Sequence, residues 1–172
     1  GYLSAQAAAG PLPKLLLAPH AGYLYSGPIA GAAYAQLAAA RGRIARVVLL
    51  GPTHRVPVRG LAMPSASSFE TPLGAVPVDR AALRDITSLP QVMVNDATHA
   101  EEHALEVQLP FLQRMLGASF SLVPLAVGRA AAEEVAEVIE ALWGGDETLV
   151  VISSDLSHYL PYDAARARDQ AT

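Results

Sequence analysis

Three uninterrupted apolar runs, Leu15–Ala18, Val47–Leu50 and Leu149–Ile152, set the strongest limit on what this chain can fold into. A strand with one wet face alternates apolar and polar residues. These runs hold no polar position, as expected of parallel strands covered on both faces. A fourth run, Leu122–Val127, is similar but carries Pro124, which cannot donate to a ladder and predicts a sheet edge or a bulge. Helical patterns lie between the runs. Residues 28–40 follow Ser26 as N-cap and precede Gly42 as stop, and residues 79–86 follow Asp79 as cap. Residues 100–116 contain Pro110, which predicts a kink or a new start, and residues 130–142 end at Gly144-Gly145. Residues 60–78 read as a β-hairpin or an irregular loop. Alternating strands and helices predict a layered α/β/α domain with a mostly parallel central sheet, and no repeat or linker divides it. One domain over residues 1–172 is expected.

Composition removes several classes of function. The chain of 172 residues is 52% hydrophobic and 16% charged, which excludes disorder as its main state. Its net charge is −4 and no basic block occurs, so a nucleic-acid binder that tracks phosphates is not expected. With no Cys, there is no thiol nucleophile, disulfide scaffold or Cys-ligated metal. No apolar run is long enough to span a bilayer, and residues 1–10 lack the charged start of a signal peptide. A cytoplasmic protein without membrane contact is the expectation. The first residue is not Met, and the last four fall in a charged helical pattern without a stop signal, so both ends read as cuts in a longer chain.

Chemistry concentrates just after the apolar runs. The first leads into Pro19-His20-Ala21-Gly22-Tyr23, the second into Gly51-Pro52-Thr53-His54-Arg55, and the last into Ser153-Ser154-Asp155-Leu156-Ser157-His158-Tyr159. In an open parallel sheet, ligands bind beyond the carboxyl ends of the strands. Adjacent parallel strands would set His20 and His54 side by side. Two histidines and an oxygen donor make the facial arrangement of non-haem iron sites. Asp155 fits a catalytic or metal-orienting carboxylate and equally an Asx turn that fixes its loop. Tyr23 and Tyr25 suit a pocket for an aromatic or peptide ligand, or packing that anchors the loop. Ser153, Ser154 and Ser157 suggest a Ser–His–Asp system only weakly, because no G-x-S-x-G elbow is present.

His99-Ala100-Glu101-Glu102-His103 matches the H-x-x-E-H pattern of inverted zinc peptidases, and on a helix His99 and His103 would share a face. The competing reading is a solvated acidic helix start, with Glu101 and Glu102 favourable at the dipole's positive end. His103 borders the apolar stripe of Leu105, Leu109 and Leu112, which makes it a candidate acid/base group.

These segments, together with Glu102-His103-Ala104-Leu105-Glu106-Val107-Gln108-Leu109-Pro110-Phe111, resemble the MEMO family, whose bacterial members are called AmmeMemoRadiSam system protein B. Phe69–Gly74 and Val123–Gly128 fit as well. The family is similar in fold to the class III extradiol dioxygenases of the LigB type. The resemblance implies a pocket for a divalent metal, iron(II) or copper, held by His20, His54 and the position of Ser157. It implies that His103 lines that pocket as acid/base, with dioxygenase-like activity as one expectation. The alternative is a metal- or ligand-binding module acting with radical-SAM and AMMECR-type partner proteins. Some members carry Cys at the position of Ser157. A hydroxyl is a poorer ligand than a thiolate, which leaves Asp155, His158 or water as the third donor. Family members also extend beyond both ends of this chain.

Overall fold

Each of the four apolar runs lies within a strand. The computed structural model describes residues 2–4 and 11–172. In chain order the elements are β1 (Leu15–Ala18), α1 (Tyr23–Ala35), β2 (Arg46–Pro52), β3 (Leu61–Met63), β4 (Ser68–Thr71), β5 (Gly74–Pro77), α2 (Arg80–Asp85) and β6 (Val92–Val94). Then follow α3 (Ala97–Ala100), α4 (His103–Glu106), α5 (Leu109–Leu116), β7 (Ser121–Val127), α6 (Ala132–Ala141), β8 (Thr148–Ser153) and α7 (Tyr162–Asp169). A short 3-10 turn at Tyr2–Ser4 precedes them.

Six strands form one sheet in the order β1-β8-β2-β7-β3-β6, and β4 and β5 form a separate hairpin. Strands β1, β8, β2 and β7 are parallel to one another, and β3 runs antiparallel to β7. The fold is therefore α/β with a mostly parallel mixed sheet. Alternate strand residues feed two cores. Val47, Leu49, Leu122, Leu149 and Val151 pack with Tyr34 of α1, Leu105 of α4 and Leu109, Leu112 and Leu116 of α5. Val48, Leu50, Val123, Leu125 and Val150 pack with Ala82 and Leu83 of α2 and Val138 of α6. Burying each such Leu or Val contributes about 1.5–3 kcal/mol, which is why the runs inside these strands contain no polar residue, and Arg46, Ser121, Thr148 and Ser153 stand only at strand ends.

Pro124 overturns the edge or bulge expected for the fourth run. Strand β7 is interior, paired with β2 through Leu49↔Pro124. On its other side, β3 reaches only Ala126 and Val127, and Val78 bridges Leu122. The Leu122 carbonyl accepts from Asp79 N on that side, so Pro124, two residues on, turns its missing N–H into the gap between these partners. No ladder bond is lost there.

Two helices also depart from the sequence reading. Helix α1 begins at Tyr23, five residues before Pro28, and its N-cap is Gly22. Ser26 lies inside it, with Oγ donating to the Ala21 carbonyl at 2.6 Å rather than capping. The helix expected over residues 100–116 is three short pieces, α3, α4 and α5. Glu101 leaves the helical region, and Glu102 is extended (φ −99°, ψ 123°) because its side chain turns back to cap α4. Asp79 caps α2 as expected, accepting from Ala82 N at 3.0 Å. Among the described residues, no helix is long and apolar enough to cross a membrane.

Candidate functional site

The loops after β1, β2 and β8 meet the start of α4 in one cluster. The ring centroids of His20 and His54 lie 5.2 Å apart, those of His54 and His103 5.2 Å, and those of His20 and His103 5.9 Å. The expected neighbours thus come together, but not because their strands adjoin. Strand β8 lies between β1 and β2, so the two strands are separated by two spacings of about 4.8 Å. The imidazoles close that distance over the end of β8, which places Ser153 and Asp155 within the same cluster.

Glu102 holds the β2 side. Its carboxylate accepts from His54 N at 2.6 Å, from His54 Nδ1 at 2.9 Å and from Ala104 N at 2.9 Å. Its side chain is only 3% exposed. Burial alone would raise its pKa, but the bonds from His54 and Ala104 outweigh this and hold the carboxyl below its ordinary value. A carboxylate only accepts, so His54 carries a proton on Nδ1 and turns Nε2 away from Glu102. The same Oε1 lies 3.5 Å from His103 Nδ1. Helix α4 seats against β2 because Gly51 has no side chain; a Cβ there would lie 2.8 Å from Leu105 Cδ2.

Asp155 holds the β1 side. Its Oδ1 accepts from His20 N at 2.8 Å and Ala21 N at 3.3 Å, tying the turn after β1 to the end of β8. Its Oδ2 lies 3.7 Å from both His20 Nε2 and His158 Nε2. His20 itself is 3% exposed. Burial, the dominant effect, lowers its pKa; Asp155 opposes that and the neighbouring histidines add to it. Ser157 donates its backbone N–H to Asp169 Oδ1 at 3.0 Å, and its Oγ is buried without a hydrogen-bond partner.

Among the described residues, one group brings three potential donors within 4.8 Å of one another: His54, Glu102 and His103. A metal-binding triad of His and Glu is thus available at this site, with His20 packed against both of its histidines. Beyond the strand ends, Leu50, Gly51, Val127, Gly128, Val135 and Ile152 help to line a hollow of about 300 Å³ that reaches Ser153 and Ser154.

The continuous helix required to put His99 and His103 on one face does not form. His99 turns away, with Nε2 donating to the Ala62 carbonyl at 3.1 Å and its ring edge-on to Phe69. Of the tyrosines beside the first histidine, Tyr23 anchors the loop through the Val107 carbonyl at 2.9 Å and packs edge-on against Phe111, while Tyr25 is exposed.

Three residues of the cluster hold roles not expected from the sequence. Glu102 is expected in solvent or as a zinc-peptidase base, yet it is the buried hub for His54. Gln108 and Ser153, both buried, link α4, α5, β1 and β8. A polar residue within the Leu105, Leu109 and Leu112 stripe was the available signal for Gln108.

Residues 4–172 match the family model described as Memo-like protein. The chain belongs to the MEMO family. The MEMO1 family protein of Ignicoccus hospitalis is 40% identical over 161 residues, covering 89% of this chain and 55% of that protein. That of Methanopyrus kandleri is 39% identical over 163 residues, covering 90% of this chain and 56% of its own. That of Aquifex aeolicus is 37% identical over 161 residues, covering 92% and 59%. This MEMO-family chain therefore spans a little over half the length of the curated relatives it matches.

Proposed function

We propose that the cluster binds one divalent metal through His20, His54 and Asp155, which would draw closer on binding than they stand here. The observation that carries this reading is the His54–Glu102 pair. A buried carboxylate on Nδ1 of an imidazole is the outer support that orients metal-ligating histidines. Because Glu102 already accepts three N–H groups, it serves better as that support than as a ligand. Asp155 Oδ2 is preferred to Ser157 Oγ because a carboxylate brings charge to the metal and a neutral hydroxyl does not. Two imidazoles and one carboxylate suit iron(II).

A metal held this way would bind and polarise an oxygen-bearing small molecule and dioxygen. The chain's own residues do the rest. Asp155 and Glu102 fix the two histidines, and the hollow beyond β2, β7 and β8 holds a small molecule. His103, half exposed beside the cluster, moves a proton on or off the substrate oxygen. The Ser157 hydroxyl, at a position where a thiolate would bind more strongly, favours a second reading: a metal- or ligand-binding module working with radical-SAM and AMMECR-type partners.

Metal content and affinity of the protein purified without oxygen, beside His20→Ala and His54→Ala, test the site. About one metal per chain, lost in both variants, is expected. Metal retained at full stoichiometry in both would overturn it. Oxygen consumption by the iron(II)-loaded protein with a catechol then separates the dioxygenase-like reading from the binding module.

A further inference from the structure

His20 Nδ1 lies 3.0 Å from Ser153 Oγ in a place closed to water; His20 is 3% and Ser153 1% exposed. Either atom could in principle be the donor. The surrounding bonds decide it, because two groups in the network can only accept.

The first is the Pro19 carbonyl, 3.0 Å from the Gln108 side-chain amide. It fixes the amide with nitrogen toward Pro19 and Ser153 and oxygen toward Tyr34, whose hydroxyl donates to it at 2.9 Å. Gln108 Nε2 therefore donates to Ser153 Oγ at 2.8 Å. The second is the Ala104 carbonyl, 2.6 Å from Ser153 Oγ, which takes the hydroxyl's single proton. Ser153 Oγ is left with one lone pair, and it faces His20 Nδ1. His20 must donate.

We propose that Ser153 is a positioning residue that holds His20 as its Nδ1–H tautomer, leaving the ring's Nε2 unprotonated. In water the imidazole side chain prefers its proton on Nε2, so the network reverses an intrinsic preference. Placing the proton on Nε2 would set two acceptors, Nδ1 and Oγ, against each other, or would strip the Ala104 carbonyl of its partner. Leaving such a buried group unmatched is the costly outcome in a dry site. Ser153 accordingly supports His20 as Glu102 supports His54. The same assignment removes Ser153 as a nucleophile. A Ser–His–Asp relay needs the histidine to accept the serine proton, and here it donates its own.

This inference deepens the metal-site reading, but its test needs no metal. Long-range ¹⁵N–¹H correlation on the metal-free protein labelled at histidine reports which nitrogen of the His20 ring carries the proton, at about pH 8, above the ordinary imidazole value, where burial keeps His20 neutral. The His20 signals are those missing from His20→Ala. A protonated Nδ1 and a bare Nε2 are expected in the wild type. Ser153→Ala should transfer the proton to Nε2, and Ser153→Thr, which keeps the hydroxyl, should restore the wild-type pattern. A wild-type His20 protonated on Nε2, or a Ser153→Ala protein with its Nδ1–H unchanged, would overturn the assignment. If Ser153→Ala does not fold, the wild-type spectrum alone still decides. In metal titrations, Ser153→Ala should bind about tenfold or more weakly, the usual cost of losing an outer-shell partner. A wild type with the expected tautomer and no metal binding would retire the metal-site reading and leave this inference standing.

Discussion

Replacing Glu102 with Gln keeps the shape of a buried side chain and changes only what its oxygens can accept. Glu102 receives three N–H groups, two at Oε1 and one at Oε2. An amide has one oxygen. With that oxygen at the Oε1 position it keeps His54 Nδ1–H and Ala104 N–H, but its NH₂ then faces His54 N–H across 2.6 Å. The reverse orientation loses two bonds, so the first prevails. One charge-assisted bond disappears, at about 1.5–3 kcal/mol, and the two survivors weaken as the charge goes. The expected loss is about 2–4 kcal/mol, which lowers the urea midpoint by about 1–2 M for a slope near 2 kcal/mol/M. Urea unfolding at pH 7 in metal-free buffer, followed by circular dichroism, measures it. Glu101→Gln is the control, since Glu101 is 76% exposed and only 3.5 Å from Arg55 in a surface pair; it should shift stability by less than about 0.5 kcal/mol. If Glu102→Gln behaves like that control, Glu102 is not the hub of the β2 side and the argument from three converging donors is wrong.

Lys14, the chain's one lysine, donates to the carbonyls of Trp143, Gly145 and Thr148 at 2.6, 2.6 and 2.8 Å, and its ammonium lies 5.2 Å from the Trp143 ring centre. Lys14→Met should cost about 2 kcal/mol and change the emission of the one tryptophan; unchanged emission and midpoint would refute the contact. Asp79 is held below its ordinary value of 3.8: burial raises its pKa, but bonds from Ala82 N and Arg46 outweigh this. Its contribution is therefore complete above that value and lost as pH falls through the lower folded one. The stability gap to Asp79→Ala, about 1–2 kcal/mol at pH 7, should hold down to about pH 5 and close at lower pH; a gap that widens on acidification would contradict this. Gly60 has φ +81°, and a Cβ there would sit 2.0 Å from the Gln91 carbonyl oxygen. Gly60→Ala should cost at least about 2 kcal/mol, with exchange of the β3 amides accelerated, and an unchanged melting temperature would argue against that geometry.

The features legible in the sequence were those carried by burial on both sides of a strand. The four apolar runs became strands, and the residues after three of them meet in one cluster, because continuous hydrophobicity has one economical solution in an α/β layer. His20 and His54 came together in that way, whereas His103 reaches the cluster from the start of α4, where the apolar stripe and the family resemblance point. Strand order did not, since nothing local says that β8 slots between β1 and β2. Pro124 misled for the same reason: its missing N–H matters only if a neighbour faces it. The break at Glu101 and Glu102 was hidden by good helix formers, whose weak propensity yields to a buried carboxylate that must satisfy three donors. The roles of Glu102 and Ser153 as hydrogen-bond hubs are set by partners far along the chain, and no spacing rule marks them.

Among the described residues, strand β1 pairs only with β8, and the Asp155 clamp on His20 joins residues 135 positions apart. Closing so long a loop is slow and entropically costly, and little of its reward arrives before both strands are in place. The histidine cluster therefore exists only when these two segments, distant in sequence and neighbours at one edge of the sheet, have met. Whatever binds there holds the folded form against the open one, so occupancy would slow the release of β1 from the sheet edge. Protection of the β1 amides against hydrogen exchange becomes a gauge of whether the pocket is filled.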